Sequence, residues 1–350
     1  MMNKALVLSR QHHLLPVAHR LRLEGVDVEV ASWKGIVPAN AKSRKENRFD
    51  RAWTGLTERV MRSSGITQDF VDGARDLAVD GKVAVLTDHL QASAEFRGAK
   101  CLFPRIEPEQ PPRSPLRLGA WWDSERFEAP HVLYADPTCW PMGMGPGPEG
   151  AMALIRLDDP DLVTLFHQLT EPIAETLGGE PGGFRGLVQF GLKLDAANGL
   201  PQLDGGELGW PWLHTHAFLA ELENLSCVVL EDAAPVLEKK YVVVVPVTMP
   251  PWPAAMGSAA EVPIEGLTPQ RQGQVFWHDV TMKDGQLWTA GLDGLVGVCR
   301  GAAGTAELAR SKALDLAAAI QIPNKQYRPD AVQSLSMALA GLEGAFNIVV

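Results

Sequence analysis

Cysteine is scarce in this sequence, and long apolar runs are missing. Its 350 residues include four cysteines, at positions 101, 139, 227 and 299. Their spacing fits neither a zinc motif nor the disulfide framework of a small secreted protein. No stretch of about 18 consecutive apolar residues occurs, so a membrane-spanning helix is not expected. The first residues also lack the apolar core of a signal peptide. We therefore expect a cytoplasmic protein.

The sequence also lacks an excess of positive charge. It has 32 Lys and Arg against 42 Asp and Glu, giving a formal net charge of −10 at pH 7. Because the basic residues are dispersed as well, non-specific binding to nucleic acid or to an anionic membrane is not expected. The Gly-x-Ser-x-Gly elbow of hydrolases and the P-loop motif are absent from the sequence. A hydrolase built on that elbow and a P-loop nucleotide-binding protein are therefore excluded.

The first hundred residues alternate between short apolar runs and helical patterns. Strands are predicted at 4–8, 26–31, 82–86 and 100–103, and helices at 14–23, 56–61, 67–78 and 91–97. This alternation predicts an α/β domain with an open parallel sheet. Ligands of such sheets bind beyond the carboxyl ends of the strands, where Arg10, His12 and His13 follow the first strand. We predict that this basic loop binds a phosphate, the alternative being a plain surface loop.

A proline-rich segment ends this first domain, and hairpin patterns follow it. The sequence predicts an N-terminal α/β domain at 1–105, a linker at 106–115, a mixed α+β lobe at 116–230 and a small β-rich C-terminal lobe at 231–350. The predicted strands are 116–122, 126–133, 186–194, 200–203, 241–247, 275–282 and 295–299. The predicted helices are 161–177, 211–225 and 305–320.

Four segments, in order along the chain, resemble one known enzyme family. They are the loop Met142-Gly143-Met144-Gly145, the strand–turn–strand that begins at Phe184-Arg185-Gly186, the segment 275–301 with its Lys283-Asp284-Gly285 turn, and Gln326-Tyr327-Arg328-Pro329-Asp330. Together they are similar to the phosphoribosylamine–glycine ligases, ATP-grasp enzymes of purine synthesis. The resemblance implies an ATP-grasp-like lobe, ATP and Mg²⁺ as cofactors, and glycine or a phosphorylated sugar amine as substrate. If the protein is an enzyme, the implied activity is carbon–nitrogen ligation.

The resemblance also implies roles for particular residues. Gly143, Met144 and Gly145 fall in the loop that helps to form the substrate site. The basic loop with Arg10, His12 and His13 occupies the position of a substrate-binding loop in the family's first domain. The metal-binding Leu-Glu-Phe-Asn strand of the family corresponds to 203–206, which makes Asp204 a magnesium ligand. Gly206 replaces the asparagine, and Glu207 is the nearest carboxylate able to substitute for it.

One departure from the family bears on activity and leaves three hypotheses open. Phe103-Pro104 resembles the end of the first domain and Trp121-Trp122 the substrate lobe, so the lysine hairpin that clamps ATP is expected to be missing. The first hypothesis is a divergent ATP-dependent ligase. The second is a non-catalytic relative that binds a nucleotide, a sugar phosphate or a protein partner. The third is a transferase that uses a pre-activated substrate.

Two further expectations concern the site. The loop 142–147, the segment 204–207 and Arg10 are predicted to converge on one pocket, the alternative being three unrelated surface loops. His214 and His216 are two residues apart, which on a strand would suit a metal. Because a helix is predicted there, their side chains should diverge, and structural roles are favoured.

Overall fold

The computed structural model of this chain describes residues 4–9, 14–32, 84–87, 101–102, 112, 114–144, 149–178, 185–194, 201–254 and 257–346. The helices predicted at 56–61, 67–78 and 91–97 lie outside these residues.

The N-terminal residues form a small parallel sheet. Its strands are β1 (Lys4–Ser9), β2 (Asp27–Ser32), β3 (Ala84–Thr87) and β4 (Cys101–Leu102), in the order β2-β1-β3-β4. All three pairings are parallel. Helix α1 (Leu15–Leu23) connects β1 to β2, and Gly25 follows it with φ 85°, a conformation that glycine adopts without strain. The predicted open parallel sheet is confirmed.

A large antiparallel sheet forms the centre of the rest of the chain. Its strands are β5 (Leu116–Trp122), β6 (Phe127–Asp136), β7 (Ala151–Arg156), β8 (Gly186–Leu194), β9 (Pro201–Gly209), β10 (Tyr241–Thr248), β12 (Val275–Trp277) and β15 (Leu295–Ala303). They are arranged in the order β12-β15-β10-β7-β6-β5-β8-β9. The sheet therefore continues across residue 230, and the predicted division into two lobes there stays a prediction.

Helices cover both faces of this sheet. Helix α2 (Pro160–Gly178) covers one face, where Phe166 meets Phe127 edge to face, with 5.8 Å between the ring centroids. Helix α3 (Trp212–Glu221) covers the other face, where Phe218 stacks on Trp121 at 6.2 Å. Trp121 and Trp122 point to opposite faces, as neighbouring strand residues do, and both are buried. Both tryptophans therefore serve core packing.

The remaining elements complete the C-terminal region. A three-stranded sheet contains β11 (Pro263–Ile264), β13 (Val280–Lys283) and β14 (Gln286–Thr289). The other helices are α4 (Leu225–Leu230), α5 (Pro269–Gln272), α6 (Ala306–Ala319) and α7 (Leu335–Phe346). Thr305 caps α6, because its side chain accepts a hydrogen bond from the backbone N–H of Leu308.

Three predicted elements need correction. The strand predicted at 275–282 is two strands in different sheets, because the buried Asp279 accepts the backbone N–H groups of Leu292 and Gly294 and turns the chain. The helix predicted at 211–225 ends at Glu221, and Leu222 pairs with Leu237 instead. The strand predicted to end at residue 203 continues to Gly209, so residues 204–207 are not a hairpin end.

Candidate functional site

The loop after β6 has a defined and strained conformation. Residues Pro141–Gly143 form one turn of 3-10 helix, and Met142 within it has φ 60°. The backbone N–H of Met144 closes the turn by donating to the carbonyl of Pro141 at 3.2 Å. Left-handed backbone at a residue other than glycine costs about 1 kcal/mol or more, so neighbouring contacts must hold it. The side chains of Met142 and Met144 are 84% and 57% exposed.

Arg328 and Asp330 supply those contacts from the far end of the chain. The backbone N–H of Met142 donates to Asp330 Oδ2 at 2.8 Å. Arg328 is 5% exposed, donates from Nη1 to the carbonyl of Thr138 at 3.0 Å, and forms an ion pair with Asp330 at 2.9 Å. The glycine-rich loop and the Tyr-Arg-x-Asp segment, both singled out by the resemblance, are therefore in direct contact.

The pKa values of two carboxylates in this cluster are shifted in opposite directions. Burial raises the pKa of Asp136, although the backbone N–H of Val332 and the guanidinium of Arg328 oppose that rise. Burial also acts to raise the pKa of Asp330, but hydrogen bonds from Arg328 and Met142 outweigh it, and the net pKa is lowered. These contacts stabilise the ionised form of Asp330, which suits it to anchor both a cation and a backbone amide.

Asp204 and Glu207 lie on one face of the sheet because β9 contains a bulge. Gly191 of β8 pairs with Asp204 and Phe190 pairs with Gly206, so Gly205, at φ 70°, is the extra residue. Glu207 then lies opposite Gln189, two residues along β8 from Gly191. In a regular strand, residues three apart point to opposite faces. The bulge instead places the two carboxylates on the same face, about 7 Å apart along the strand direction.

This pair offers a partial fit to a magnesium ion. Carboxylate oxygens are suitable ligands, and Mg²⁺ commonly uses one or two of them with water and phosphate oxygens. Lys193 Nζ lies 3.3 Å from Asp204 Oδ1, and Gln189 Nε2 donates to Glu207 Oε2 at 2.8 Å. Gly206 offers no ligand, and a Cβ at this position would lie 2.8 Å from the Phe190 ring. No group of three or more His, Cys, Asp or Glu suited to a metal occurs in the part of the chain that is described.

The loop and the carboxylates occur at the same end of the large sheet. Asp204 is level with Arg117 through Gly191, and β6 ends at this end of the sheet before the loop begins. Three strand spacings separate β6 from β9, about 14 Å laterally. Arg10, His12, His13 and Gly145 lie outside the described residues. The shared pocket, the substrate roles of Gly143 and Met144, and the metal roles of Asp204 and Glu207 therefore stay predictions.

Two buried histidine pairs flank helix α3, and the sequence did not predict them. His214 Nε2 lies 2.7 Å from His131 Nε2, and His216 Nε2 lies 2.7 Å from His278 Nε2. His214 and His216 thus point to different partners, which confirms the expected divergence on a helix. The partners are 83 and 62 residues away along the chain. No local pattern in the sequence indicates such pairs.

The pair His131–His214 is held in its neutral form. His131 Nδ1 lies 2.7 Å from the carbonyl of Ala129, so this nitrogen is the donor and His131 Nε2 is an acceptor. His214 Nε2 must then carry a proton and donate to His131. Burial lowers the pKa of His131 to about 4, although the bond to Ala129 opposes this. Burial, and then the nearness of His131 and Arg117, lower the pKa of His214 well below its usual range.

Comparison with known proteins shows a similarity of fold. No family model matches the sequence, and no curated protein matches it. The structure of phosphoribosylamine–glycine ligase from Thermotoga maritima aligns with a TM-score of 0.55 and 16% identity, covering 94% of this chain and 100% of that chain. Pyruvate carboxylase from Rhizobium etli aligns at 0.52 with 12% identity, covering 92% of this chain and 33% of that chain.

This chain has the fold of phosphoribosylamine–glycine ligase. The resemblance read from the four sequence segments is therefore confirmed at the level of fold. Similarity at 16% identity does not extend to activity. Among the described residues, no helix is long and apolar enough to cross a bilayer.

Proposed function

We propose that this protein is a divergent ATP-grasp protein of the phosphoribosylamine–glycine ligase type, which binds Mg-ATP and an amine or carboxylate substrate but turns ATP over slowly. One observation carries the proposal. The loop at 141–144 and the segment 328–330, both identified by the resemblance, contact each other through Met142, Thr138 and Asp330. This contact joins residues 188 apart in the sequence, which supports a common site formed by the two segments.

The slow turnover follows from the metal position. Mg²⁺ held by Asp204 and Glu207 would neutralise phosphate charge during activation of a carboxylate, which is the main catalytic demand of phosphoryl transfer. Gly206 contributes no oxygen. Only 13 residues, 103–115, separate β4 from β5, which is short for a hairpin that clamps nucleotide phosphates. Each missing contact is worth several kcal/mol of barrier in such reactions.

A second candidate function is a non-catalytic binder of a nucleotide, a sugar phosphate or a protein partner. The observation that favours it is the packing at Gly206, where the Phe190 ring occupies the space that an asparagine side chain would need. In this candidate the carboxylates of Asp204 and Glu207 bind an amine directly and no phosphoryl transfer occurs.

Calorimetry and a turnover assay separate these functions. Titration with Mg-ATP, and then with glycine, is expected to give binding that weakens at least tenfold in Asp204→Ala. The matched control Asp158→Ala, on an exposed loop, should leave binding unchanged. ADP release with glycine and phosphoribosylamine should fall well below the rates of typical enzymes, on the order of 1–10³ s⁻¹. Turnover within that range would refute the slow-turnover part. Failure of Mg-ATP to bind would refute the ATP-grasp function and leave the second candidate.

A further inference from the structure

A group of buried polar side chains surrounds Gly119 on the α3 face of the large sheet. Gly119 of β5 pairs with His131 on one side and with Gln189 on the other, and Gln189 pairs with Glu207. Residues that pair directly across strands share a face. Arg117, two residues along β5, lies on that face as well. Arg117, His131, Gln189 and His214 are all at most 5% exposed.

Three polar atoms in this group have no hydrogen-bond partner among the described residues. They are Arg117 Nη1, Gln189 Oε1 and His214 Nδ1. An unsatisfied buried polar atom costs about 1–3 kcal/mol, and most such atoms in proteins are satisfied by protein or by bound water. Two of these atoms belong to the neighbouring strands β5 and β8 and the third to helix α3, which packs on the same face, so a common partner is indicated.

The hydrogen-bonding role of each atom is fixed by its neighbours. His214 Nε2 donates to His131, so His214 Nδ1 is an acceptor. Gln189 Nε2 donates to the Glu207 carboxylate at 2.8 Å, so the other end of that amide, Oε1, is also an acceptor. Arg117 Nη1 is a donor, while Nε and Nη2 of the same guanidinium are engaged by the Ser114 carbonyl and the Glu149 carboxylate. The missing partner must donate two hydrogen bonds and accept one.

The packing at Gly119 brings the residues of this group together. A Cβ at this position would lie 2.4 Å from His131 Nε2 and 3.1 Å from His214 Cε1, so the histidine pair rests directly on the β5 backbone. His214 Cε1 is bonded to Nδ1, and Gln189 pairs with Gly119 from the adjacent strand, so both acceptors belong to residues that surround Gly119. Arg117 is near enough to His214 to contribute to the lowering of its pKa.

We propose that one internal water molecule binds here, donating to His214 Nδ1 and Gln189 Oε1 and accepting from Arg117 Nη1. Water is the smallest molecule with this combination of donors and acceptor, and buried waters typically make about three hydrogen bonds. The water completes a chain of bonds from the Ala129 carbonyl through His131, His214 and Gln189 to Glu207. This chain fixes the Glu207 side chain by linking it to helix α3 and three neighbouring strands. The proposal rests on these buried groups alone and is independent of the proposed function.

A crystal structure at about 1.5 Å resolution tests the proposal on the full chain. We expect one solvent peak about 2.7–3.2 Å from each of the three atoms. The peak should be lost, and Glu207 displaced, in Gln189→Met, and both should be unchanged in the control Gln202→Met, which alters an exposed residue of β9. Direct bonds among the three atoms without solvent density would overturn the proposal.

A solution measurement covers the case in which Gln189→Met does not fold. In the wild-type protein, magnetization transfer from water to the His214 ring protons should detect a bound water with a residence time longer than nanoseconds. Absence of that transfer, with the ring signals assigned, would overturn the proposal equally. In the crystal structure, electron density too large for water would also overturn the proposal. If that density disappears after dialysis and returns when a primary amide such as acetamide is added, the site belongs to a ligand.

Discussion

Acid should destabilise this protein through the His131–His214 pair. Both rings are fully buried, and their shared hydrogen bond requires the acceptor nitrogen, His131 Nε2, to stay unprotonated. The pKa of His131 is lowered from 6.5 to about 4. Between pH 4 and pH 6.5, the unfolded chain therefore binds a proton at His131 that the folded chain does not bind. The contribution to stability is therefore complete above pH 6.5 and is lost as the pH falls towards 4.

The magnitude follows from the size of the shift. Each pH unit in this window costs about 1.4 kcal/mol per proton, so His131 alone accounts for about 3 kcal/mol in total and about 2 kcal/mol between pH 7.5 and pH 5. Asp293 acts in the opposite direction. Burial raises its pKa to about 6, so its contribution to the stability of the folded protein increases as the pH falls below that value. The histidine contribution must therefore be isolated by comparison of variants.

Urea unfolding at pH 5 and pH 7.5 provides the assay. The wild type should lose about 2 kcal/mol more on acidification than His131→Gln, since the variant lacks this titration. The control His167→Gln alters an exposed histidine of α2 and should behave as the wild type. An NMR titration gives a second measurement, in which the His131 ring signals should stay unchanged down to about pH 5. Equal pH dependence in wild type and His131→Gln, or titration of His131 near 6.5 in the folded protein, would refute the reasoning.

Other substitutions test the packing and the candidate site. Gly119→Ala places a Cβ 2.4 Å from His131 Nε2 and should lower the free energy of unfolding by about 1–3 kcal/mol, whereas Gly304→Ala, with nothing within 4 Å, should change it by less than about 0.5 kcal/mol. Asp330→Asn removes the charge that pairs with Arg328 and should lower the free energy of unfolding in urea by about 1.5–3 kcal/mol. An equal loss in Asp158→Asn, which alters an exposed ion pair, would contradict this. Gly206→Asn should destabilise the fold, because its Cβ would lie 2.8 Å from the Phe190 ring. The variant should therefore bind Mg²⁺ no more tightly in calorimetry. Tighter Mg²⁺ binding would contradict this and show that the ring moves aside.

The sequence predicted the elements whose signal is local. The apolar run at 4–8 and the helical pattern at 14–23 correspond to β1 and α1, and 116–122 corresponds to β5 without change of bounds. The predicted helix around 211–225 was enough to separate His214 from His216. The errors occur where a long-range contact overrides the local pattern, as at Asp279, whose buried carboxylate binds a distant turn and divides one predicted strand into two.

The candidate site was predicted in its residue types and not in its geometry. The resemblance predicted metal roles for Asp204 and Glu207, but residues three apart on a regular strand point to opposite faces. Only the register with β8 shows that the bulge at Gly205 brings them to one face. The same limit applies to Arg328, whose contact with Thr138 spans 190 residues.

What the sequence determined by itself is the periodicity of its apolar residues and the positions of its turns, because both depend on neighbours a few residues apart. Strand order, register and the pairing of His131 with His214 were decided by the tertiary structure alone. These depend on which distant side chains fill the same space, as the histidine pair fills the space left by the missing Cβ of Gly119. A buried polar group is satisfied by whatever lies beside it in the fold, and that neighbour has no fixed distance along the chain.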